Sequence, residues 1–146
     1  MTGVQTCALP ISCKYCKILI KSGTITSHTT QRTYSCMRNI SCRSSNVIYC
    51  LTCQNCGKQY VGQTLRRLKD RLYEHLRDID TLNTEKPLGA HFAQSCRENP
   101  TIKAHILEFI KKPPRSPEAQ LIRNRIEKRW IHLLRTPAPH GLNLED

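Results

Sequence analysis

The hydrophobic pattern changes period between residues 46 and 79. Two short β-rich runs, VIYCL and QYVGQT, flank the turn CQNCGK. Their composition and the turn residues between them predict a hairpin of two strands over Asn46–Thr64. Asn55-Cys56-Gly57 supplies residue types that tolerate positive φ in a tight turn. Beyond it Leu65, Leu68, Leu72, Leu76 and Ile79 recur at spacings of three and four, predicting a helix over Leu65–Ile79 with Thr64 as its cap. Arg71 and His75 border that stripe one turn apart, on the same side. Asp80–Lys86 is a polar loop. Pro87 can open a second helix, Pro87–Ser95. Thr101–Ile110 alternates well enough for a third strand, and KKPPRSP must be a loop. Ser116, Pro117 and Glu118 then form the start signal of a long helix. Ile122, Ile126, Trp130 and Leu133 mark its buried face and Glu127 flanks it, while Pro137 and Pro139 end it.

Upstream, CKYC, ILI, TIT and RTYSCMRNIS are broken by Ser22-Gly23 and suggest a hairpin with a third strand. Cys36 reads as a buried strand residue. Met1–Ile11 has neither periodicity nor charge. It resembles translated sequencing adapter, so Cys7 is set aside from functional reasoning. The expected division is residues 1–11 as artefact or disordered segment, 12–45 as a cysteine-bearing β-rich linker, and 46–146 as the main domain.

Charge and cysteine usage narrow the class. The formal net charge is +12 and aromatics make up 5 %, which points to polyanionic partners and a modest aliphatic core. No apolar run reaches the length of a membrane span, so no membrane partner is expected. There are nine cysteines, and Met1–Ile11 lacks the basic and long apolar regions of a secretory signal. Thiolate–metal sites and reduced core cysteines are therefore favoured over a disulfide framework. Cys53-x2-Cys56, with His91 and Cys96 in HFAQSC, supplies four ligands suited to tetrahedral Zn²⁺. That site would pin the hairpin turn to the second helix, a useful clip for a small domain. Cys13-x2-Cys16 has the spacing of half a second zinc site, with Cys42, Cys36 and His28 all open as partners.

The remaining polar residues suit phosphodiester cleavage. That reaction needs an activated water, charge stabilisation at phosphorus and neutralisation of the leaving oxygen. Glu127 can hold Mg²⁺ if phosphate and water fill the other positions. Arg71 is a candidate phosphate clamp. Tyr49 and Tyr60 are candidate proton acceptor and positioner, provided Arg⁺ and Mg²⁺ lower their pKa. Arg66, Arg67 and Lys69 are candidate contacts to the DNA backbone. Each position also has an ordinary reading: packing tyrosines, a surface ion pair, a core histidine.

Taken in order, Tyr49, Tyr60, Arg71, His75 and Glu127 resemble the GIY-YIG nucleases. In that family two tyrosine-bearing strands pair, a helix carries an Arg and often a His, and a later helix carries a metal-binding Glu. Val47-Ile48-Tyr49 stands where the family has Gly-Ile-Tyr. The resemblance implies an α+β fold, with a small three-stranded antiparallel sheet flanked by helices. It also makes Asn143, in Gly141-Leu142-Asn143, a site-supporting residue. The two cysteines inside the core and the cysteine-bearing sequence upstream are similar to the endonuclease of Penelope-like retroelements, with Cys96 where that group usually has His. What this implies is a metal-dependent DNA endonuclease that nicks phosphodiester bonds for target-primed reverse transcription. It would be fused to an upstream reverse transcriptase and located in the nucleus. The rival readings are an inactive zinc-stabilised nucleic-acid-binding module and a cellular structure-specific nuclease of the same fold.

Overall fold

Strand β3 (Ser45–Cys53) is the centre of a three-stranded antiparallel sheet, order β4-β3-β5, with β4 (Gln59–Arg67) and β5 (Ile102–Phe109) as its neighbours. The computed structural model describes residues 13–111 and 115–144. The expectations for Met1–Ile11, Cys7 and the middle of the KKPPRSP loop lie outside the described residues. The apolar run at Val47–Leu51 follows from position: a central strand is covered on both faces. Val47, Tyr49 and Leu51 face one core cluster, formed with helices α2 (Leu68–Asp80) and α3 (Pro87–Gln94). Ile48 and Cys50 face the other, formed with α4 (Pro117–Leu134) and the small hairpin of β1 (Thr24–Thr26) and β2 (Thr33–Ser35). The α+β fold and three-stranded sheet are as expected.

Three local expectations need correction. The hairpin is longer than expected and the helix shorter: β4 runs to Arg67 and α2 starts at Leu68. Thr64 is a buried ladder residue opposite Val47, not a cap. The ladder partners of Thr64 and Arg67 on β3 outweigh the helical spacing of Leu65. No side chain caps α2; instead Leu68 and Lys69 N–H donate to the carbonyls of Ser44 and Cys42 at 2.8 and 2.7 Å. The second correction is upstream. CKYC lies in a short helix, α1 (Lys14–Ile18), and the hairpin has two strands; Leu19 makes only an isolated bridge to Ala104. Cys36 is half-buried just past the end of β2. Third, the fully buried residue at the end of α4 is Leu134, while Leu133 is half-buried.

The start of α4 is as expected, with Ser116 Oγ accepting from Ala119 N–H at 3.0 Å and Pro117 at the first turn. After α4 the chain returns along the free edge of β4. Leu142 N–H donates to Gln59 O at 2.9 Å, and Pro137 bridges Asn143. No helix among the described residues is long and apolar enough to cross a membrane.

Candidate functional site

The two tyrosines lie on neighbouring strands and meet one helix. Tyr49 pairs across the ladder with Gly62, and its hydroxyl lies 2.7 Å from His75 Nε2. Tyr60 packs edge-on against the same imidazole, ring centroids 5.5 Å apart. Gly62 makes this possible. A Cβ there would sit 2.6 Å from the Tyr49 hydroxyl and 3.0 Å from the Tyr60 ring. The close approach that Gly62 permits is thus to the two tyrosines. Tyr49 and His75 are buried; Tyr60 is half-buried and opens toward solvent.

Burial governs the electrostatics. It pushes His75 down to about 3, with Arg71 adding to the effect, so the imidazole is neutral at physiological pH. It raises the Tyr49 hydroxyl, helped by Tyr60; Arg71 opposes and loses. Tyr60 is raised for the same first reason, again against Arg71. The expectation that Arg71 would bring the tyrosines toward neutral pKa is not met by the protein's own charges.

Arg71, one turn before His75, donates to Glu74 Oε1 at 2.8 Å, and Glu74 also takes a two-pronged contact from Arg66, 2.9 Å to each oxygen. Burial alone would raise the Glu74 carboxyl; the bonds from Arg66 and Arg71 outweigh it and hold it low. Arg67 pairs with Asp70 at 3.2 Å, and Lys69 is half-buried nearby. Of the three cations expected to meet DNA, two therefore already hold carboxylates on α2.

Glu127 reaches the site over the edge of β4. Gln63 Nε2 donates to Glu127 Oε1 at 3.0 Å and to Asn124 Oδ1 at 2.9 Å. The amide has only one orientation open to it. Arg123 Nε donates to Gln63 Oε1 at 3.2 Å, and a guanidinium can only donate. Arg123 is itself 4 % exposed and fixed by Asn46 Oδ1 and Gln120 Oε1 at 2.9 and 2.7 Å. Gln63 and Glu74 were missed in the sequence. Gln63 takes its role from partners on another element, which no local spacing marks, whereas Glu74 follows Arg71 by three residues, the spacing of a helical ion pair. Asn143, singled out by resemblance, bonds with its side chain to both backbone groups of Val61, at 2.8 and 2.9 Å. It completes the outer edge of β4 between Tyr60 and Gly62, and so fixes the strand that carries them.

The cysteines form two groups. The ligand atoms of Cys53, Cys56, His91 and Cys96 all lie within 4.8 Å of one another, with Cys56 Sγ 3.5 Å from His91 Nε2. Three thiols and an imidazole at this spacing match the donor set of a structural zinc site. Burial and hydrogen bonds with Cys56 and Cys53 push the Cys96 thiol up to about 12, a cost that a bound cation reverses. Gly57, at φ +87°, lets the turn pass beneath His28, which stays outside this group. Cys13, Cys16 and Cys42 form the second group, again within 4.8 Å. Cys42 is thus the residue that joins the CKYC pair; Cys36 packs elsewhere, beside Ile25 and Trp130. Within the second group Cys16 Sγ lies 3.1 Å from Cys13 Sγ, and Cys42 Sγ lies 3.9 Å from each of them.

Such a site can hold a phosphodiester against a guanidinium, present a hydroxyl to its water and offer a carboxylate to a cation. No curated protein and no solved structure matches the chain. The family model for the GIY-YIG catalytic domain matches residues 45–143, the segment from the first residue of β3 to the asparagine that closes the edge of β4. The chain therefore belongs to the GIY-YIG family of nucleases.

Proposed function

We propose that the domain is a metal-dependent DNA endonuclease that nicks one strand by hydrolysis. The observation that carries this is the Tyr49–His75 contact of 2.7 Å, with Tyr60 and Arg71 beside it and Glu127 held by Gln63 at the same strand edge. Arg71 is placed to bind the scissile phosphate and offset its growing charge. The water oxygen bonds to phosphorus as the bond from phosphorus to the 3′ oxygen breaks. The water's proton passes to a tyrosine oxygen. At Tyr60, the half-buried one of the pair, the hydroxyl's own proton passes on to solvent, while His75, which burial holds neutral and makes a weak base, orients Tyr49 through their hydrogen bond. This relay avoids forming a free tyrosinate in a buried site, and the leaving oxygen takes its proton from solvent. Glu127 is the residue that would hold Mg²⁺, and bound there the ion supplies charge stabilisation at phosphorus and the leaving oxygen.

Cys53, Cys56, His91 and Cys96 would hold a structural Zn²⁺. Cys13, Cys16 and Cys42 would supply three ligands to a second zinc. The cysteine pattern around the catalytic hairpin supports a place in a Penelope-like retroelement, where the nick would expose a 3′-hydroxyl for an upstream reverse transcriptase acting in the nucleus. Sequence of the gene upstream of residue 12 tests that context: polymerase motifs in frame support it and their absence overturns it.

The activity is tested on supercoiled plasmid with Mg²⁺. The native protein should convert it to nicked circle, and Glu127→Ala should not. Nicking by neither leaves a binding module, and equal nicking by the two sinks the reading in which Glu127 holds the catalytic metal.

A further inference from the structure

A cavity of about 310 Å³ opens where the β1–β2 hairpin meets the end of α4, lined by Thr30, Arg32, Tyr34, His132, Leu133 and Arg135. Its lining holds two arginines and a histidine and no carboxylate. Among the described residues neither arginine nor the histidine is paired with an acid. Arg66, Arg67, Arg71 and Arg129, in contrast, each hold a carboxylate. Converging, unpaired cations around one concavity are the arrangement that takes a phosphate.

The plain alternative is that basic residues sit here to offset the negative end of the helix. The hairpin has already met that need. Ser27 Oγ donates to Leu134 O at 2.8 Å, Thr29 Oγ1 to Arg135 O at 3.0 Å and Tyr34 Oη to Leu133 O at 3.4 Å. The last carbonyls of α4 are thus capped by hydroxyls, and the positive charge around them is left in excess. Arg32, moreover, comes from the hairpin and not from the helix. Tyr34 is fixed edge-on against Trp130, with ring centroids 6.0 Å apart, so the wall is built on packed core.

We infer that this cavity binds a backbone phosphate of the nucleic-acid substrate. The N-terminal hairpin is thereby part of the nucleic-acid surface as well as a brace for α4. The inference rests on a nucleic-acid substrate for this site but not on its catalytic competence.

The test is the salt dependence of binding to a DNA duplex without Mg²⁺, for the native protein, Arg32→Gln, Arg135→Gln and the double variant. Each lost phosphate contact should lower the slope of log Kd against log salt by about 0.9, so the double variant should fall by roughly 1.8. Lys21→Gln with Lys86→Gln, two exposed cations outside the cavity, removes equal charge and should change the slope by much less. A double variant indistinguishable from this control overturns the inference. If Arg135→Gln does not fold, Arg32→Gln alone decides, with an expected drop of about 0.9. Plasmid nicking is scored in parallel. Nicking with an unchanged slope overturns the cavity alone, and a changed slope without nicking overturns catalysis alone.

Discussion

The Tyr49 hydroxyl and His75 Nε2 lie 2.7 Å apart in a buried contact between the central strand and α2. The histidine is neutral in the folded protein, because burial brings it from an ordinary 6.5 down to about 3. In the unfolded chain it charges below its ordinary value. The unfolded state therefore binds more protons between pH 6.5 and about 3, and stability must fall as pH falls through that window. Above it His75 contributes no slope. By pH 5 the loss should be about 2 kcal/mol relative to pH 7.5. Urea unfolding from pH 7.5 to 4.5 checks this, with His75→Gln as comparison. The variant should show a flatter profile over the same range. Parallel profiles would mean that other groups carry the acid sensitivity.

A second prediction concerns Gly62. Its neighbours, the Tyr49 hydroxyl and the Tyr60 ring, leave no room for a methyl group. Gly62→Ala must push the Tyr49 ring away from His75, while φ at this position imposes no demand for glycine. The expected result is loss of nicking by about 100-fold, the scale of a lost proton-transfer group, at a stability cost of about 1–3 kcal/mol for overpacking. DNA affinity should stay close to native. Nicking within threefold of native would show that the tyrosine contact is not needed.

The parts of this site that were legible in the sequence are those whose signal is local. Val47–Leu51 read as a strand because a doubly covered strand is apolar throughout. Ser116-Pro117-Glu118 read as a helix start because capping chemistry is written in consecutive residues. The cluster of three cysteines and a histidine was legible because its ligand types are few and their spacing is constrained. The misread junction at Thr64–Arg67 is where two local signals compete. Leu65 fits the helical stripe, but the ladder to Ser45 and Val47 decides the outcome. Gln63 was illegible for a different reason. A glutamine in a strand carries no mark of the arginine and glutamate that meet it from a helix far along the chain.

The zinc reading predicts a stability response. The four ligands join the β3–β4 turn to α3 and the segment just beyond it, closing the loop between Cys56 and His91. A cross-link over a loop of that length contributes about 4 kcal/mol by chain entropy. Stripping metal with a strong chelator should lower Tm by roughly 10–20 °C, and added Zn²⁺ should restore it. Cys96→His should retain binding, because the imidazole remains a zinc ligand; Cys53→Ser should not. Purified native protein carrying less than half an equivalent of zinc, with no change in Tm on chelation, would overturn the site.

Gln63 gives the sharpest separation of positioning from binding. Its amide is oriented by Arg123 and delivers one N–H to Glu127. Gln63→Leu keeps comparable bulk and removes both bonds. Arg123 retains Asn46 and Gln120 as acceptors, so the buried charge is not abandoned and the fold should survive. Glu127, in contrast, loses the group that sets its angle at the strand edge. Residues that orient a metal-binding carboxylate typically account for about 10–100-fold in metal affinity or activity. The expected phenotype is a fall of that size in kcat or a matching rise in the Mg²⁺ needed for half-maximal nicking, with DNA affinity within twofold of native. Gln63→Glu is the informative companion. It keeps an acceptor for Arg123 but sets a second carboxylate against Glu127, which raises the pKa of the pair. The acid limb of the activity profile should then move to higher pH, a shift that loss of packing alone would not produce. An unmoved limb, with native Mg²⁺ dependence in Gln63→Leu, would leave the glutamine a strand residue with no part in placing Glu127.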